Sequence, residues 1–472
     1  MKPAATRGRT VLELALLGFW AGLIVHGLKR PFLWVLAYIY VDLFSPQRIG
    51  WALLPSIPLS LLTFAAAFGG WIALDNKVGS RFGLRQGLLL VLLLYCALSL
   101  TWADFPAAAQ DKWAWVWKAM VFGIFLPLTL TSRLRLEAVA LTMVLAVGAI
   151  AINGGIKTVA GGGGYGTLSI FSVSDDSGIY EGSILSTATI CIIPLILWLS
   201  RSGTIFPPDW RVRLFAGALI FACLLIPVGT QARTGLLCIG VLGVLLMRSV
   251  RNRFFYFAAA GIALMVAVPF LPASFTARME TIKDHKGDES ASTRIAVWKW
   301  TLAYVKDHPL GGSFDAYRGN SIDYETSATI SDGSTTTVET QEVTDQGRAY
   351  HSSYFEMLGE QGWPGFVLWF TVHALGLIQM ERIWRRWKGS EDERLRWYAT
   401  LAGALQQSQI IYLVGALFVG IAFQPFMFVI VGLQCGLWAQ CRGDLRRTAI
   451  RNGRDRRERA LSRTAVLPQD SP

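Results

Sequence analysis

Long blocks of apolar residues alternate with short polar links along almost the whole chain. Most blocks are about 15 to 22 residues long, the length that an α-helix needs to cross the hydrocarbon core of a bilayer. The pattern predicts membrane spans at residues 11–28, 31–44, 53–74, 84–101, 114–131, 135–153, 183–200, 213–229, 234–248, 254–272, 364–380, 399–420 and 422–440. The predicted fold class is therefore an all-α polytopic membrane protein with 12 or 13 transmembrane helices.

Lys and Arg cluster in alternate links between these blocks, namely 77–85, 133–135, 201–213, 248–253 and 382–396. Cytoplasmic loops of membrane proteins carry an excess of basic residues. We therefore assign these links to the cytoplasm and the segments 102–113, 154–182, 230–233 and 273–363 to the opposite side. Basic residues flank the first span on both sides, so the side of the N-terminus and the choice between 12 and 13 spans stay open.

One hydrophilic segment, residues 273–363, is far longer than an ordinary connection. It divides the chain into an N-terminal transmembrane bundle, a loop or lid, C-terminal transmembrane helices and a basic cytoplasmic tail, at 1–272, 273–363, 364–441 and 442–472. Long loops on a rigid scaffold often carry function. The loop is expected to lie outside the cytoplasm.

The loop is predicted to be partly helical. Helical spacing over 292–307 places four residues on one face, namely Ile295, Trp298, Leu302 and Val305, with Ser292 or Thr293 as the N-terminal cap. The Ser-, Thr- and Asp-rich stretch 319–346 is either a mobile segment or a small hairpin. A second helix is expected to start near Ala349 and to continue into the next span.

Composition narrows the possible functions. The chain is 53% hydrophobic and 16% charged, with a net charge of +12. Because the basic residues lie in links and in the tail, anionic membrane lipid is the expected partner and nucleic acid is not. The six cysteines lie in or beside apolar blocks without CxxC spacing, which argues against a metal site. The sequence contains no nucleotide-binding or zinc-protease motif, so no cofactor is expected.

Three residues on the outer side are the main candidates for chemistry. His351 lies at the end of the loop, where an imidazole can accept a proton from a hydroxyl nucleophile or orient it. Arg233 lies in a short turn between two spans, and Arg294 lies near the start of the loop helix. A guanidinium group near lipid headgroups suits a pair of phosphate oxygens.

Further residues are weaker candidates for substrate binding. The basic ones are Arg278, Lys299 and Arg348, and the others are Tyr354, Glu356, Asp175 and Asp176. Tyr354 and Phe355 are expected to share a helical face with His351. Glu356 and Glu360, four residues apart, are expected to pair with arginines of the loop.

Several of these segments together resemble a known family. The segments are 293–298, 308–312 and 350–365 in and after the loop, and 42–48, 154–166 and 231–235 before it. They resemble the O-antigen ligase/polymerase superfamily, whose pattern is Arg-x-x-x-Trp, a Pro-Leu-x-Gly-x-Gly turn and His-x-x-Tyr-x-Glu-x-Leu-x-Glu-x-Gly-x-x-Gly. Within it they resemble the O-glycosylation ligases associated with exosortase gene clusters.

The resemblance implies a membrane glycosyltransferase that needs neither metal nor nucleotide. Direct attack opposite the leaving group would invert the anomeric centre. The donor would be a glycan on undecaprenyl diphosphate at the periplasmic face of the bacterial inner membrane. The acceptor would be a hydroxyl group on lipid A core, another glycan or a protein. The family's functional histidine corresponds to His351, and its two functional arginines correspond to Arg233 and Arg294.

Two other functions remain alternatives to ligation. A polysaccharide polymerase would use a second lipid-linked glycan as the acceptor at the same donor site. A transporter or flippase for lipid-linked glycans would be expected to show an internal repeat and broken helices. The sequence contains no such repeat, and the candidate residues all lie on one side of the membrane.

Overall fold

The computed structural model describes residues 3–50, 52–161, 178–248, 252, 289–331 and 336–464. The helices before the loop are α1 (Pro3–Gly27), α2 (Phe32–Phe44), α3 (Pro46–Ile49), α4 (Leu53–Ser56), α5 (Leu59–Ala73), α6 (Leu84–Ser99), α7 (Pro106–Thr129), α8 (Arg133–Val159), α9 (Gly182–Arg201), α10 (Trp210–Gly229) and α11 (Arg233–Met247). The remaining elements are α12 (Glu289–Asp307), β1 (Ser321–Ser331), β2 (Thr336–Gln346), α13 (Ser353–Trp387), α14 (Glu393–Gly415) and α15 (Pro425–Thr464).

The helices agree with the hydrophobic pattern. In the described part of the chain, six helices are long and apolar enough to cross a membrane, namely α1, α6, α8, α9, α10 and α13. The predicted span 53–74 is divided into α4 and α5 at Pro58, and the predicted span 254–272 lies outside the described residues. The chain is an all-α polytopic membrane protein, as predicted.

Helix α9 lies at the centre of the bundle. Its sequence is mostly apolar, and 78% of its span is buried, against 11% for α1. It packs against α8, α10, α11 and α14. A helix without a polar face is stable only when protein or lipid surrounds it. Helix α9 begins at Gly182, and its first turn lies at the end of the bundle that faces the loop.

The links that carry basic clusters meet at the other end of the bundle. Arg135 forms an ion pair with Asp75 at 2.6 Å, and Arg248 forms one with Glu381 at 2.6 Å. At the end that faces the loop, the backbone N–H of Asp104 donates to the carbonyl oxygen of Gly312 at 3.0 Å. Links that the charge pattern assigns to one side are therefore neighbours in the structure.

A close contact between glycines joins the loop to α13. Gly311 (φ 77°) and Gly362 (φ 59°) both have the left-handed conformation that favours glycine. A Cβ atom on Gly362 would lie 2.4 Å from the carbonyl carbon of Leu310, so neither glycine leaves room for a side chain. The N–H of Gly312 donates to the carbonyl oxygen of Gly359 at 3.1 Å. These contacts explain why the segments 308–312 and 350–365 need glycine at positions 311 and 362.

The loop has more regular structure than its sequence indicates. The strands β1 (Ser321–Ser331) and β2 (Thr336–Gln346) pair in an antiparallel ladder, which favours the hairpin over the mobile segment for this stretch. Helix α12 begins at Glu289, so the prediction of Ser292 or Thr293 as its cap is wrong. Helix α13 begins at Ser353 rather than near Ala349. Helix α15 runs to Thr464, so the predicted boundary between 364–441 and 442–472 falls inside one helix.

The predicted buried face of α12 is only partly correct. Val305 is buried, but Ile295 and Leu302 are 49% and 46% exposed. The buried positions follow a spacing of four residues and are Thr293, Val297, Thr301 and Val305. The loop itself provides the surface that they cover, because Val297 packs with Ile322 of β1 and with Tyr350. Sequence periodicity located the helix but not the face that this small cluster covers.

Candidate active site

A cavity of about 510 Å³ lies between the loop and the bundle, and we call it the outer cavity. Its walls come from the first turns of α7 and α9 and from the α14–α15 connection at 418–424. The loop closes it with Arg294 of α12, residues 315–318 and residues 349–351. The structure thus brings two of the three main candidates, His351 and Arg294, to the same cavity.

His351 lies at the rim of the outer cavity in an unusual backbone conformation. Its φ angle is 47°, and it precedes Ser352, the N-cap of α13. The prediction that it shares a helical face with Tyr354 and Phe355 is therefore wrong. Hydrogen bonds hold the backbone on both sides of His351. Before it, Trp298 Nε1 donates to the carbonyl oxygen of Tyr350 at 3.0 Å. After it, the N–H of Ser353 donates to the carbonyl oxygen of Ala416 at 2.8 Å. A non-glycine residue with positive φ is a strained feature that often marks a functional site.

The electrostatic environment of His351 favours the neutral imidazole. Although its side chain remains partly exposed, burial by the surrounding chain lowers its pKa, and the positive charges of Arg294 and Arg348 lower it further. A neutral imidazole can accept a proton from a hydroxyl group. The pKa shift and the position at the cavity rim therefore agree with the role expected of His351.

Aromatic packing on α13 fixes the position of Arg294. On α12, Trp298 stacks on Phe355 with ring centroids 4.9 Å apart and planes 5° apart. Arg294 is one helical turn before Trp298, so the stack sets its distance from the start of α13. Lys299, on the same helix, is exposed and does not line the outer cavity. Of these two basic residues of α12, only Arg294 is placed at the cavity.

A buried ionic cluster forms one wall of the outer cavity. The ammonium group of Lys112 is 2.7 Å from a carboxylate oxygen of Glu356, 2.7 Å from one of Glu360 and 3.7 Å from one of Asp315. Burial opposes the charged lysine, but the three carboxylates outweigh it and raise the pKa of Lys112. The expected pairing of Glu356 and Glu360 with arginines of the loop is therefore wrong.

The sequence reasoning missed Lys112. The only signal available was the presence of a lysine near the start of an apolar helix. A second lysine, Lys118, follows six residues later and is also unusual in such a helix. The carboxylate partners of Lys112 are far along the chain, from Asp315, 203 residues later, to Glu360, 248 residues later. No local pattern reveals a contact across such a separation.

The same cluster holds the α14–α15 connection in place. The second carboxylate oxygen of Glu356 accepts the N–H of Ala422 at 3.0 Å. The hydroxyl group of Ser353 donates to the carbonyl oxygen of Val419 and accepts the N–H of Ile421, both at 2.8 Å. The first turn of α13 thus fixes the backbone of 419–422, which lines the outer cavity.

Arg233 lies elsewhere in the structure. It is the first residue of α11 and does not line the outer cavity. Its turn packs against the start of α9, where the hydroxyl groups of Thr230 and Ser186 are 2.8 Å apart. Ser183, one turn before Ser186, does line the cavity. The turn that carries Arg233 therefore packs beside the helix that forms one wall of the outer cavity.

The weaker candidates are placed as follows. Tyr354 does not line the outer cavity, and its hydroxyl group donates to the carbonyl oxygen of Leu413 at 3.1 Å. Arg348 forms an ion pair with Asp345 and acts on His351 through its charge. The remaining three candidates lie outside the described residues and are Asp175, Asp176 and Arg278. Within the described residues, no group of three or more His, Cys, Asp or Glu side chains is arranged to hold a metal ion.

Comparison with known families supports the motif resemblance. Residues 218–370 match a family model described as O-antigen ligase, and this range contains His351, Arg233 and Arg294. Residues 11–204 match a model described as a family of unknown function. Among curated proteins, no match is found. The resemblance to the O-antigen ligase superfamily is confirmed, and the association with exosortase gene clusters stays a prediction.

Proposed function

We propose that this chain transfers a glycan from undecaprenyl diphosphate to an acceptor hydroxyl group, and the match of residues 218–370 to the O-antigen ligase model supports this proposal. A role in glycosyl transfer in a membrane follows from the family match and the transmembrane helices. The donor and the acceptor class are our proposal. The observation that carries it is the presence of His351 and Arg294 on one cavity, between the loop and the bundle.

The proposed reaction assigns a role to each of these residues. The acceptor oxygen attacks the anomeric carbon, the bond from that carbon to the phosphate oxygen breaks, and its electron pair leaves with the diphosphate. His351 accepts the proton of the acceptor hydroxyl group, which typically contributes about 10²- to 10⁴-fold. Arg294 stabilises the charge that develops on the diphosphate, an effect of about 3 kcal/mol for one well-placed donor. Direct displacement inverts the anomeric centre.

The remaining predicted residues have supporting roles in this proposal. Arg348 keeps the pKa of His351 low through its charge. Arg233, whose turn packs against the start of α9, stabilises the diphosphate through its positive charge. Neither role requires a metal ion or a nucleotide, because diphosphate is already a good leaving group.

The charge pattern of the links supports a location in the bacterial inner membrane, with the outer cavity open to the periplasm. The family resemblance implies that the glycan on undecaprenyl diphosphate is presented at that face. A lipid-linked donor supplies its own leaving group there. The proposed location and the proposed donor are thus mutually consistent.

The identity of the product tests this proposal. Purified protein is incubated with glycan on undecaprenyl diphosphate, either alone or together with lipid A core or another hydroxyl-bearing acceptor. Transfer only when the separate acceptor is present is the expected result. Elongated lipid-linked chains from donor alone would instead identify a polymerase. If protein that elutes as a single species transfers no glycan to any acceptor, both the ligase and the polymerase proposals are contradicted.

A further inference from the structure

A groove of about 510 Å³ lies between α9 and α10 on the surface of the bundle, and we call it the α9–α10 groove. Its lining comes from the end of α9, from Pro208 and from the first half of α10. Along α10 it extends from Arg213 to Ile220, which corresponds to about 10 Å of helical rise. The charge pattern assigns this end of both helices to the cytoplasm, so the groove adjoins the cytoplasmic leaflet of the membrane.

Beyond its charged mouth, the α9–α10 groove is apolar. Leu197 of α9 and Ile220 of α10 line it. A Cβ atom on Gly217, which also lines the groove, would have nothing within 4 Å, so this glycine leaves open space at the surface of α10. The same helix exposes large apolar side chains, since Leu214 is 64% and Phe221 59% exposed. Exposed apolar surface of this kind indicates contact with acyl chains.

A second, smaller cavity adjoins the groove. Its volume is about 300 Å³, and it lies between α8, α9 and α10. Ser200 and Ala216 line both cavities. Apart from Ser200 and Arg211, every described residue that lines the second cavity is apolar. The two cavities therefore share one character, which is an apolar lining with arginine at the cytoplasmic end.

Three arginines lie at this end of the two cavities. Arg201 and Arg213 line the α9–α10 groove, and Arg211 lines the second cavity. Within the described ranges, their guanidinium groups form no hydrogen bond or ion pair, although that of Arg211 lies 5.8 Å from the ring centroid of Trp210. Of the described residues that line either cavity, none is acidic. The mouth of the groove is therefore positively charged.

Two acidic side chains beside this link bind its backbone instead of its arginines. Glu137 accepts the N–H of Thr204 at 2.7 Å and that of Ile205 at 3.1 Å. Asp209 caps α10 by accepting the N–H of Arg211 at 2.8 Å. The main chain thus holds the link in place without using the guanidinium groups. A phosphate group can bind such arginines without first displacing a carboxylate, and their fork geometry suits its oxygens.

We propose that the α9–α10 groove binds an anionic phospholipid of the cytoplasmic leaflet. Arg201 and Arg213 bind its phosphate group, and one acyl chain lies along Leu197, Gly217 and Ile220. A soluble anion would leave the apolar part of the groove unused, and a zwitterionic lipid would leave the positive charge at the mouth uncompensated. The inference is independent of the proposed function, because the groove is at the opposite end of the bundle from the outer cavity.

Thermal unfolding of the full-length protein in lipid-free detergent tests the proposal, because a ligand of the folded state raises the unfolding temperature. Phosphatidylglycerol should raise it, and phosphatidylcholine with the same acyl chains should not. The variant Arg201→Gln, Arg213→Gln should weaken the apparent affinity for phosphatidylglycerol by about 10-fold or more, because hydrogen bonds to a charged group are lost. Gly217→Leu should weaken it as well by filling the groove, without lowering the unfolding temperature in the absence of lipid.

The matched control is the variant Arg382→Gln, Arg386→Gln, which removes the same charge from exposed positions of another basic link. It should respond to phosphatidylglycerol like the wild type. An equal loss of affinity in this control would overturn the proposal, because the lipid would then be attracted by overall charge alone. So would a wild-type response of Arg201→Gln, Arg213→Gln, or equal stabilisation by phosphatidylcholine or by inorganic phosphate. Those last two results would indicate a site for acyl chains alone or for soluble anions.

Discussion

Replacing Lys112 with Met leaves two buried carboxylates without the ammonium group that both contact. The side chain of Lys112 is 13% exposed, that of Glu356 is 8% exposed and that of Glu360 is fully buried. Removal of one partner from a buried ionic pair typically costs about 3–5 kcal/mol, because a charge remains in a poorly hydrated site. We expect Lys112→Met to fall in this range.

The effect is measured by thermal unfolding in detergent, which is monitored as the loss of monodisperse protein on heating. A marked fall in the unfolding temperature is expected for Lys112→Met. The double variant Lys112→Met, Glu360→Gln should recover part of the loss, since it removes the charge that the first change leaves unpaired. Lys306→Met is the control at an exposed position.

An unfolding temperature of Lys112→Met equal to that of the wild type would refute this reasoning. It would mean that water or a rearranged side chain replaces the ammonium group without cost. A double variant less stable than the single one would also contradict it, because the stabilising element would then be Glu360 itself. Either result would remove the basis for treating the cluster as the support of the cavity wall.

Three further predictions concern the outer cavity and its support. Arg294→Gln should lower kcat/KM by about 10²-fold or more, and Arg294→Lys should restore little because the fork geometry is lost. Because the pKa of His351 is lowered and transfer needs the neutral imidazole, kcat/KM should persist as pH falls through about 6.5 and decline only at lower pH. Arg348→Gln should move this decline to higher pH. Gly362→Ala should lower the unfolding temperature through its positive φ and the clash with the loop, whereas Gly389→Ala, with open space around it, should not.

Hydrophobic block length was sufficient to predict the transmembrane helices. Helix α9 is long and mostly apolar, and a bilayer permits few structures other than a helix for such a segment. The charge pattern was also sufficient to group the links, because Arg135 and Asp75 do meet at one end. These properties are local or additive along the chain, so a single sequence reveals them.

The details of the loop depend on contacts between distant residues. The buried face of α12 is set by Ile322 and Tyr350, which are close to it only after the chain folds. The conformation of His351 depends on Trp298 and on Ala416, neither of which is nearby in sequence. Periodicity therefore predicted the helix and its buried Val305, but it wrongly placed Ile295 and Leu302 on the buried side.

The candidate site, like the fold, could be predicted only in part from the sequence. His351 and Arg294 were predicted from the loop and from the family resemblance, and both line the outer cavity. Lys112 was not predicted, because its significance comes from a carboxylate cluster. This cluster arises from packing between α7 and segments that are far along the chain.

The central claim is that His351 takes part in glycan transfer at the outer cavity. Its most direct test is the rate of transfer from glycan-loaded undecaprenyl diphosphate by His351→Ala, with donor binding measured in the same preparation. We predict that the rate falls by about 10²-fold or more, while the affinity for undecaprenyl diphosphate remains that of the wild type. Transfer at the wild-type rate by this variant would contradict the account.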